Sequence, residues 1–329
     1  MVKNVRLILT LLLTIAAVQG TAAQSNTSSI FRFLEITPNA RASALGGNHA
    51  GLYQAQSNMM HVNPAYLNTQ SSGYVSASYI NFLGDANMGF TSAAYTVDGI
   101  GTFGAGIRYV GYGEFNEFDE NGTQLGSFSA NDMALTGAYS RAITPKLTAG
   151  AGVDLIYSSY ASFNSSAFGI SGGVFYQDTT SHFSAGISVR NLGSQISTYD
   201  GRYEPLPLDI SVGITKKPEA FPFQLSLTLK RLNDWDMRVF GETDQPDLFN
   251  NVMRHVLFGG EANLGQNLHL RLGYDHYLHE QTDSGGNFSL AGVSFGIGFT
   301  VKSIDIDLSR NSYSKLGGIT RLSIKTKLF

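Results

Sequence analysis

The run Phe223-Gln-Leu-Ser-Leu-Thr-Leu-Lys230 alternates without a break: Phe223, Leu225, Leu227 and Leu229 are apolar, while Gln224, Ser226, Thr228 and Lys230 are polar. A period of two sends successive side chains to opposite faces, so this segment reads as a β-strand with one oily and one polar side. Upstream, Leu208, Ile210, Val212 and Ile214 alternate with Asp209, Ser211, Gly213 and Thr215. Downstream the pattern returns in Leu268, Leu270, Leu272 and Tyr274, in Ile304, Ile306 and Leu308, and in Leu322, Ile324 and Leu328. Working outward gives about fourteen runs, near 73–82, 87–97, 102–112, 130–141, 146–157, 166–177, 182–192, 207–216, 222–232, 253–264, 267–276, 289–299, 303–311 and 318–328. Roughly ten residues per run is the length a tilted strand needs to cross a bilayer.

The connections support a membrane barrel over a soluble sandwich. Short ones hold Asp98-Gly99, Ile143-Thr144-Pro145, Gln177 to Thr180, Pro218 to Phe221, Gly265-Gln266 and Lys302. Longer ones lie near 113–129, 158–165, 193–206, 233–252 and 277–288, while 83–86 and 312–317 are shorter than this pattern asks. Short turns at one end and long loops at the other mark an outer-membrane barrel. In hydrocarbon every backbone N–H and C=O must be paired within the protein, so the sheet must close. Polar-face residues such as Asp154, Lys230, Glu261, Arg271, Asp275 and Asp305 then point inward, and both signs occur among them. Tyr74, Tyr79, Phe82, Tyr95, Tyr109, Tyr112, Tyr157 and Tyr176, near strand ends, are expected to form interfacial girdles.

Composition agrees. The 329 residues hold 22 Lys+Arg and 25 Asp+Glu, net −3, and only 14% are charged. Soluble domains carry about 25%. Gly 37, Tyr 16 and Phe 21 are abundant, and mean hydropathy is −0.04. The absence of a basic excess disfavours nucleic acid as a partner. Zero Cys excludes disulfides and thiolate metal sites. A 43% hydrophobic content is too high for a disordered chain.

Lys3 and Arg6, the apolar stretch Leu7 to Val18, and Thr21-Ala22-Ala23 have the order of a secretory signal peptide, assigned to 1–23. Residues 24–72 form an N-terminal hatch segment and 73–329 the barrel. Within the hatch, a short helix is expected after Pro38, stopped by Gly46-Gly47, and a second polar segment ends in Asn63-Pro64-Ala65.

The stretch Ile36-Thr-Pro-Asn-Ala-Arg-Ala-Ser-Ala-Leu-Gly-Gly47, with Asn63-Pro64-Ala65, resembles the hatch of the long-chain fatty-acid transporter-like barrels. More narrowly, Phe128-Ser-Ala-Asn-Asp-Met-Ala-Leu135, Ile156-Tyr-Ser-Ser159, Val189 to Tyr199, Glu204-Pro-Leu-Pro207 and Arg231-Leu-Asn-Asp-Trp-Asp236 resemble the PorQ barrels of the type IX secretion system. That resemblance implies a fourteen-stranded all-β barrel in the outer membrane of a Gram-negative bacterium, with its long loops facing the cell surface. It also implies a non-enzymatic anchor for a PorZ-like surface protein. Through that partner come PorU- and PorV-like components and attachment of cargo to lipopolysaccharide. The alternative from the same hatch is a channel for hydrophobic small molecules. The loop aromatics Phe115, Phe118, Tyr199, Tyr203, Trp235 and Phe249 are the expected partner contacts.

Chemistry-bearing patterns are sparse. Gly169-Ile-Ser-Gly-Gly173 matches a nucleophile elbow, but it lies inside an alternating strand and not at a strand-to-helix turn. Ser312-Tyr-Ser-Lys315 has no companion motif downstream. Glu117 to Gly122 resembles half a calcium loop, with Phe128 where the bidentate Glu belongs. His276 and His279, with Asp275 and Glu280, cluster at a strand end, where side chains three apart diverge, and are read as an exposed loop rim and not a zinc site. No catalytic residue, metal site or cofactor is assigned.

Overall fold

The computed structural model describes residues 29–329 apart from Leu83, Ala220, Phe240, 284–288, 314–316 and Phe329. The signal-peptide assignment at 1–23, Lys315 and the C-terminal Phe329 lie outside the described residues. Fourteen strands follow in order: β1 Tyr74–Asn81, β2 Asn87–Val97, β3 Gly101–Phe118, β4 Gln124–Thr144, β5 Leu147–Tyr160, β6 Phe163–Asp178, β7 Phe183–Ser197, β8 Asp209–Lys216, β9 Phe223–Leu229, β10 Val256–Leu264, β11 Leu268–Asp275, β12 Val293–Val301, β13 Ile304–Ser312 and β14 Gly318–Lys327. Each pairs antiparallel with its neighbour, and β1 meets β14 over eight residue pairs, Tyr74↔Lys327 to Asn81↔Thr320, so the sheet closes.

The exposure along the opening stretch is inverted relative to a soluble protein. Phe223 and Leu227 are about two-fifths exposed on the outside, while Gln224, Ser226 and Thr228 are buried in the lumen. Water cannot be the solvent for such a wall, because polar side chains are sequestered and Leu, Ile and Phe are presented outward. Of the expected girdle, Tyr79, Tyr95, Tyr109 and Tyr157 face outward and are about half exposed. Three others differ. Tyr74 lies under the Lys325 ammonium, 4.8 Å from the ring centre, and Phe82 and Tyr112 pack on the inner apolar cluster. Their parity matches the lumen-facing residues Ser76, Ser78 and Ile80, and Arg108 and Val110.

Two expected loops are largely strand and a third is partly so. β3 and β4 run on as a hairpin whose turn is only 119–123, β5 and β6 turn at 161–162, and β7 continues to Ser197. A bulge where Gly111↔Asn131 gives way to Glu114↔Ser129 inverts the side-chain parity of β3, which hid the strand from a period-two reading. A second bulge between β6 and β7 places both Arg190 and Asn191 in the lumen.

Residues 31–72 fill the lumen. Helix α1, Ala40–Ala44, is capped by Asn39, whose side chain accepts the Ala42 N–H. It ends at Gly46 (φ 102), where a Cβ would sit 3.1 Å from the Tyr274 carbonyl, so a turn and a close approach to the wall both require glycine. The expected helix after Pro38 and its Gly46-Gly47 stop are thus where the sequence placed them. Asn63 caps the 3-10 turn Pro64–Tyr66 and donates to the Ala50 carbonyl at 3.1 Å. Two further helices, α2 Leu248–His255 and α3 His276–Thr282, lie in the long connections. No helix among the described residues is long and apolar enough to cross a membrane.

Candidate functional site

The hatch separates a polar lumen cavity toward the short turns from one toward the long loops, and a further cavity of about 640 Å³ opens among the short turns beside Leu67 to Gln70. The polar lumen cavity is about 320 Å³ and is lined by Gln54, Gln56, Gln70, Gln177, Gln224, Asn263 and His269, among others. Its charges are paired with one another. Arg41 Nη2 meets Glu261 at 2.9 Å, Arg271 reaches Glu261 at 3.3 Å and Asp307 at 2.6 Å, and Lys325 meets Asp305 at 2.7 Å. Arg41 also donates to the Gln54 and Tyr53 carbonyls within the hatch, so one guanidinium joins two hatch segments to Glu261 of the wall. This is a bonded lining and not a ring of one sign, as expected for Glu261, Arg271 and Asp305. Further toward the long-loop end Arg108 pairs with Asp154 at 2.6 Å and Lys230 with Asp275 at 2.6 Å.

The cavity toward the long loops is about 380 Å³ and has two unlike sides. One is apolar: Phe33, Ile36, Phe82, Met88 and Tyr112 form it, where the hatch start packs on inward Ile80, Phe90, Val110 and Ile156. The other holds Arg190, Asp209, Lys230, Arg231, Asp275 and Arg321. Arg190 pairs with Asp209, and Arg231 with Glu35 of the hatch. Arg321 differs. It is 5% exposed, donates to Ser43 Oγ at 2.8 Å and to Asn311 Oδ1, leaves Nε without a partner, and has no carboxylate within ion-pair distance among the described residues. A buried guanidinium lacking a counter-charge is costly unless something else neutralises it. Alternation with Leu322 and Ile324 puts Arg321 on the polar face of its strand; that it faces Ser43 and Asn311 in place of a carboxylate depends on distant segments, so no local signal carries it.

The other hatch residues support this arrangement. Pro38, Asn63 and Pro64 are buried, and Gly47 lines the outer cavity. The Ala40 N–H donates to Ser323 Oγ at 2.8 Å and Ser184 Oγ to the Gly51 carbonyl at 2.8 Å, so the hatch backbone is satisfied by the wall. Where it crosses Gly186, a Cβ would stand 2.0 Å from the Ala50 carbonyl oxygen.

The loop aromatics separate into three groups. Phe115 and Phe118 are on β3, and Phe115 stacks on Phe128 at 5.4 Å, which in turn meets Tyr160 at 5.3 Å. Tyr203 and Phe249 are strongly exposed, and Trp235 is 57% exposed with one face on His255 at 5.2 Å. Tyr199 instead folds inward and donates its hydroxyl to Ser158.

The remaining patterns are absorbed by local structure. Ser171 is a lumen-facing mid-strand hydroxyl accepting the Asn191 N–H at 3.3 Å. Asp119 Oδ1 accepts the N–H groups of Asn121 and Thr123, at 2.9 and 2.7 Å, closing the ribbon turn. The strand expected to run to His276 ends at Asp275, which caps α3; on that helix His276 and His279 share a face and stack at 5.9 Å. Among the described residues no group of three His, Asp or Glu is placed to hold a metal.

No family model and no curated protein matches the chain. Solved structures do. The chain is similar to the Pseudomonas putida toluene transporter TodX, at 17% identity over 89% of this chain and 98% of that one, with a TM-score of 0.56. It is similar to the CymD monoaromatic hydrocarbon channel, at 14% identity over 90% and 98% with a TM-score of 0.52. It is also similar to a Pseudomonas aeruginosa FadL homologue, at 12% identity over 89% and 99% with a TM-score of 0.52. The chain therefore shares its closed antiparallel barrel fold with outer-membrane channels of the FadL type.

Proposed function

We propose that this chain is a non-enzymatic outer-membrane barrel that admits small hydrophobic molecules at its long-loop end and holds them above the hatch. The outer cavity carries this reading: an apolar side beside one buried, unpaired guanidinium fits a molecule with a hydrocarbon body and one acceptor group. The hatch forms its floor, so passage needs the hatch to shift. Solved relatives that transport toluene and monoaromatic hydrocarbons support the same class. Binding of dodecanoate to the full chain in lipid nanodiscs, read by displacement of a fluorescent fatty-acid analogue, tests it. A charge-assisted hydrogen bond contributes about 1.5–3 kcal/mol, so Arg321→Gln should weaken dodecanoate roughly tenfold or more and leave dodecanol nearly unchanged. No saturable displacement by either ligand in the wild-type chain would overturn the reading.

A second reading rests on the Phe115–Phe128–Tyr160 cluster, of which Phe115 and Tyr160 are exposed, and on Trp235, Tyr203 and Phe249 at the same end. Solvent-exposed aromatics suit an interface core. In this reading the barrel is a PorQ-like membrane anchor of the type IX secretion attachment complex. It docks a PorZ-like surface protein, and through it PorU- and PorV-like components, for attachment of cargo to lipopolysaccharide. Photo-crosslinking from position 115 on intact cells should then trap one large surface protein, and loss of that adduct with Trp235→Ala would locate the face.

A further inference from the structure

The register aligns one unusual row on the outside of the wall. Starting at Arg310, cross-strand register partners run Arg310↔Thr320, Thr320↔Asn81, Asn81↔Asn87, Asn87↔Gly111, Gly111↔Asn131, Asn131↔Ser159 and Ser159↔Asn164. All lie near the long-loop ends of their strands and have outward parity, and apart from Gly111 every one is a hydrogen-bonding residue. Two positions toward the short turns the same strands carry Leu308, Leu322, Tyr79, Gly89, Tyr109, Met133, Tyr157 and, on β6, Ser166. The tyrosines point their hydroxyls at the polar row: Tyr79 donates to Asn87, Tyr157 donates to Asn164 at 2.8 Å, and the Tyr109 hydroxyl lies beside Gly111. An aromatic ring in acyl chains with its hydroxyl in a polar layer marks the membrane–water boundary.

Arg310 is singular in this row. The flanking strands β12, β14, β1 and β2 put only uncharged side chains outward within their lengths. Arg310 is exposed, donates to Thr320 Oγ1 at 3.2 Å, and takes part in no ion pair among the described residues. On the strands of the row the first outward carboxylate, Glu114 on β3, is four strands away, roughly 19 Å at the spacing of paired strands, and the exposed Asp85 of the β1–β2 turn forms no ion pair with Arg310. A guanidinium at the boundary with no protein counter-charge offers a planar fork to a phosphate, and the adjoining amides and hydroxyls offer donors and acceptors to sugar hydroxyls.

We infer that the row from Arg310 through Thr320, Asn81 and Asn87 is a seat for an outer-leaflet glycolipid, with its headgroup phosphate on Arg310 and its acyl chains against Leu308, Leu322 and Tyr79. The inference needs only the membrane placement and the outward direction of the long loops, not the cargo of the lumen. The full chain is reconstituted in phosphatidylcholine nanodiscs doped with bisphosphorylated lipid A, with enzymatically dephosphorylated lipid A, or with phosphatidylglycerol, and retained lipid is counted by native mass spectrometry. The wild type should retain phosphorylated lipid A over both others. A cationic side chain at a membrane surface contributes about 1 kcal/mol, so Arg310→Gln should lower retention about fivefold while Arg310→Lys keeps part of it. Arg141→Gln, on the opposite rim, should change nothing. Equal retention by wild type and Arg310→Gln, or of phosphorylated and dephosphorylated lipid A, overturns the seat. Retention of phosphatidylglycerol equal to lipid A also overturns it, leaving only a general anionic contact. A chain that fails to insert at all instead removes the membrane placement, so the two failures are distinct.

Discussion

The two sides of the barrel are built differently. From β3 to β7 the strands are 14–21 residues long, and their hairpins stand beyond the rim with turns of a few residues. From β8 to β14 they are 7–10 residues long, and β8 and β9 share only five residue pairs, Val212↔Leu229 to Lys216↔Leu225. The long-strand side is held by its own backbone ladder and meets the hatch through close backbone approach, as at Pro64 against Gly150, and through uncharged hydrogen bonds such as Ser184 Oγ to the Gly51 carbonyl. The short-strand side receives the hatch's charge: Arg41 enters the Glu261–Arg271–Asp307 chain on β10, β11 and β13, and α1 packs on β11 to β14. A wall with less ladder is thus stiffened from inside by ion pairs, and the hatch acts as a structural member as well as a plug.

Breaking that interior strut gives the largest expected effect. Arg41→Ala leaves Glu261, 4% exposed, facing Arg271 alone. Removing one partner of a buried pair costs about 3–5 kcal/mol, and the remaining arginine places this case near the lower figure. Hydrogen exchange should accelerate across β10 to β13 and not across β3 to β6. Uniform acceleration round the barrel would erase the distinction between the two sides.

A smaller effect is expected on the long-strand side. Phe115→Ala removes a ring stacked on Phe128, with an interplanar angle of 20°. Such pairs contribute about 0.5–1.5 kcal/mol beyond burial. Proteolytic nicking between residues 115 and 128 should rise while the melting of the barrel stays put. A fall in barrel stability would mean the ribbon and wall are one cooperative unit.

The smallest concerns the loop after β9. Hydrogen bonds from Arg254 hold the Glu242 carboxylate below its usual range, with both guanidinium nitrogens at 2.6 and 2.7 Å. A carboxyl lowered in the folded state stabilises at neutral pH and loses that contribution as pH falls through its folded value, so the change lies below about pH 4.3. Trp235 is the sole tryptophan of the chain and its carbonyl accepts from Asn251 of α2, which makes it a reporter there. Its emission should shift to the red on acidification, and Glu242→Gln should already show the shift at pH 7. An unaltered spectrum in that variant would show that the pair does not hold the loop.

How much could be read in advance follows from where the information sits. The fourteen strands were legible because alternation is local, and Phe223 to Lys230 needs no knowledge of its neighbours. The β3–β4 ribbon was not. The stretch from Tyr112 to Phe118 has its parity reversed by a bulge, and a bulge is a property of the pair, not of either strand. The hatch stop at Gly46-Gly47 was legible since positive φ favours glycine. His276 and His279 were misplaced because Asp275, a strand residue by its alternation, also caps a helix.

The sequence alone determined that the chain alternates oil and polarity in bilayer-length runs, and hence that its strands have a lipid side and a lumen side. Only the tertiary structure decided which lumen charges neutralise one another and which does not: Arg41 meets Glu261 across 220 positions, and Arg321 meets Ser43 across 278. Periodicity fixes the face of a strand from adjacent residues, whereas the partner of a buried charge is set by barrel closure and the path of the hatch, which bring distant segments within hydrogen-bond reach.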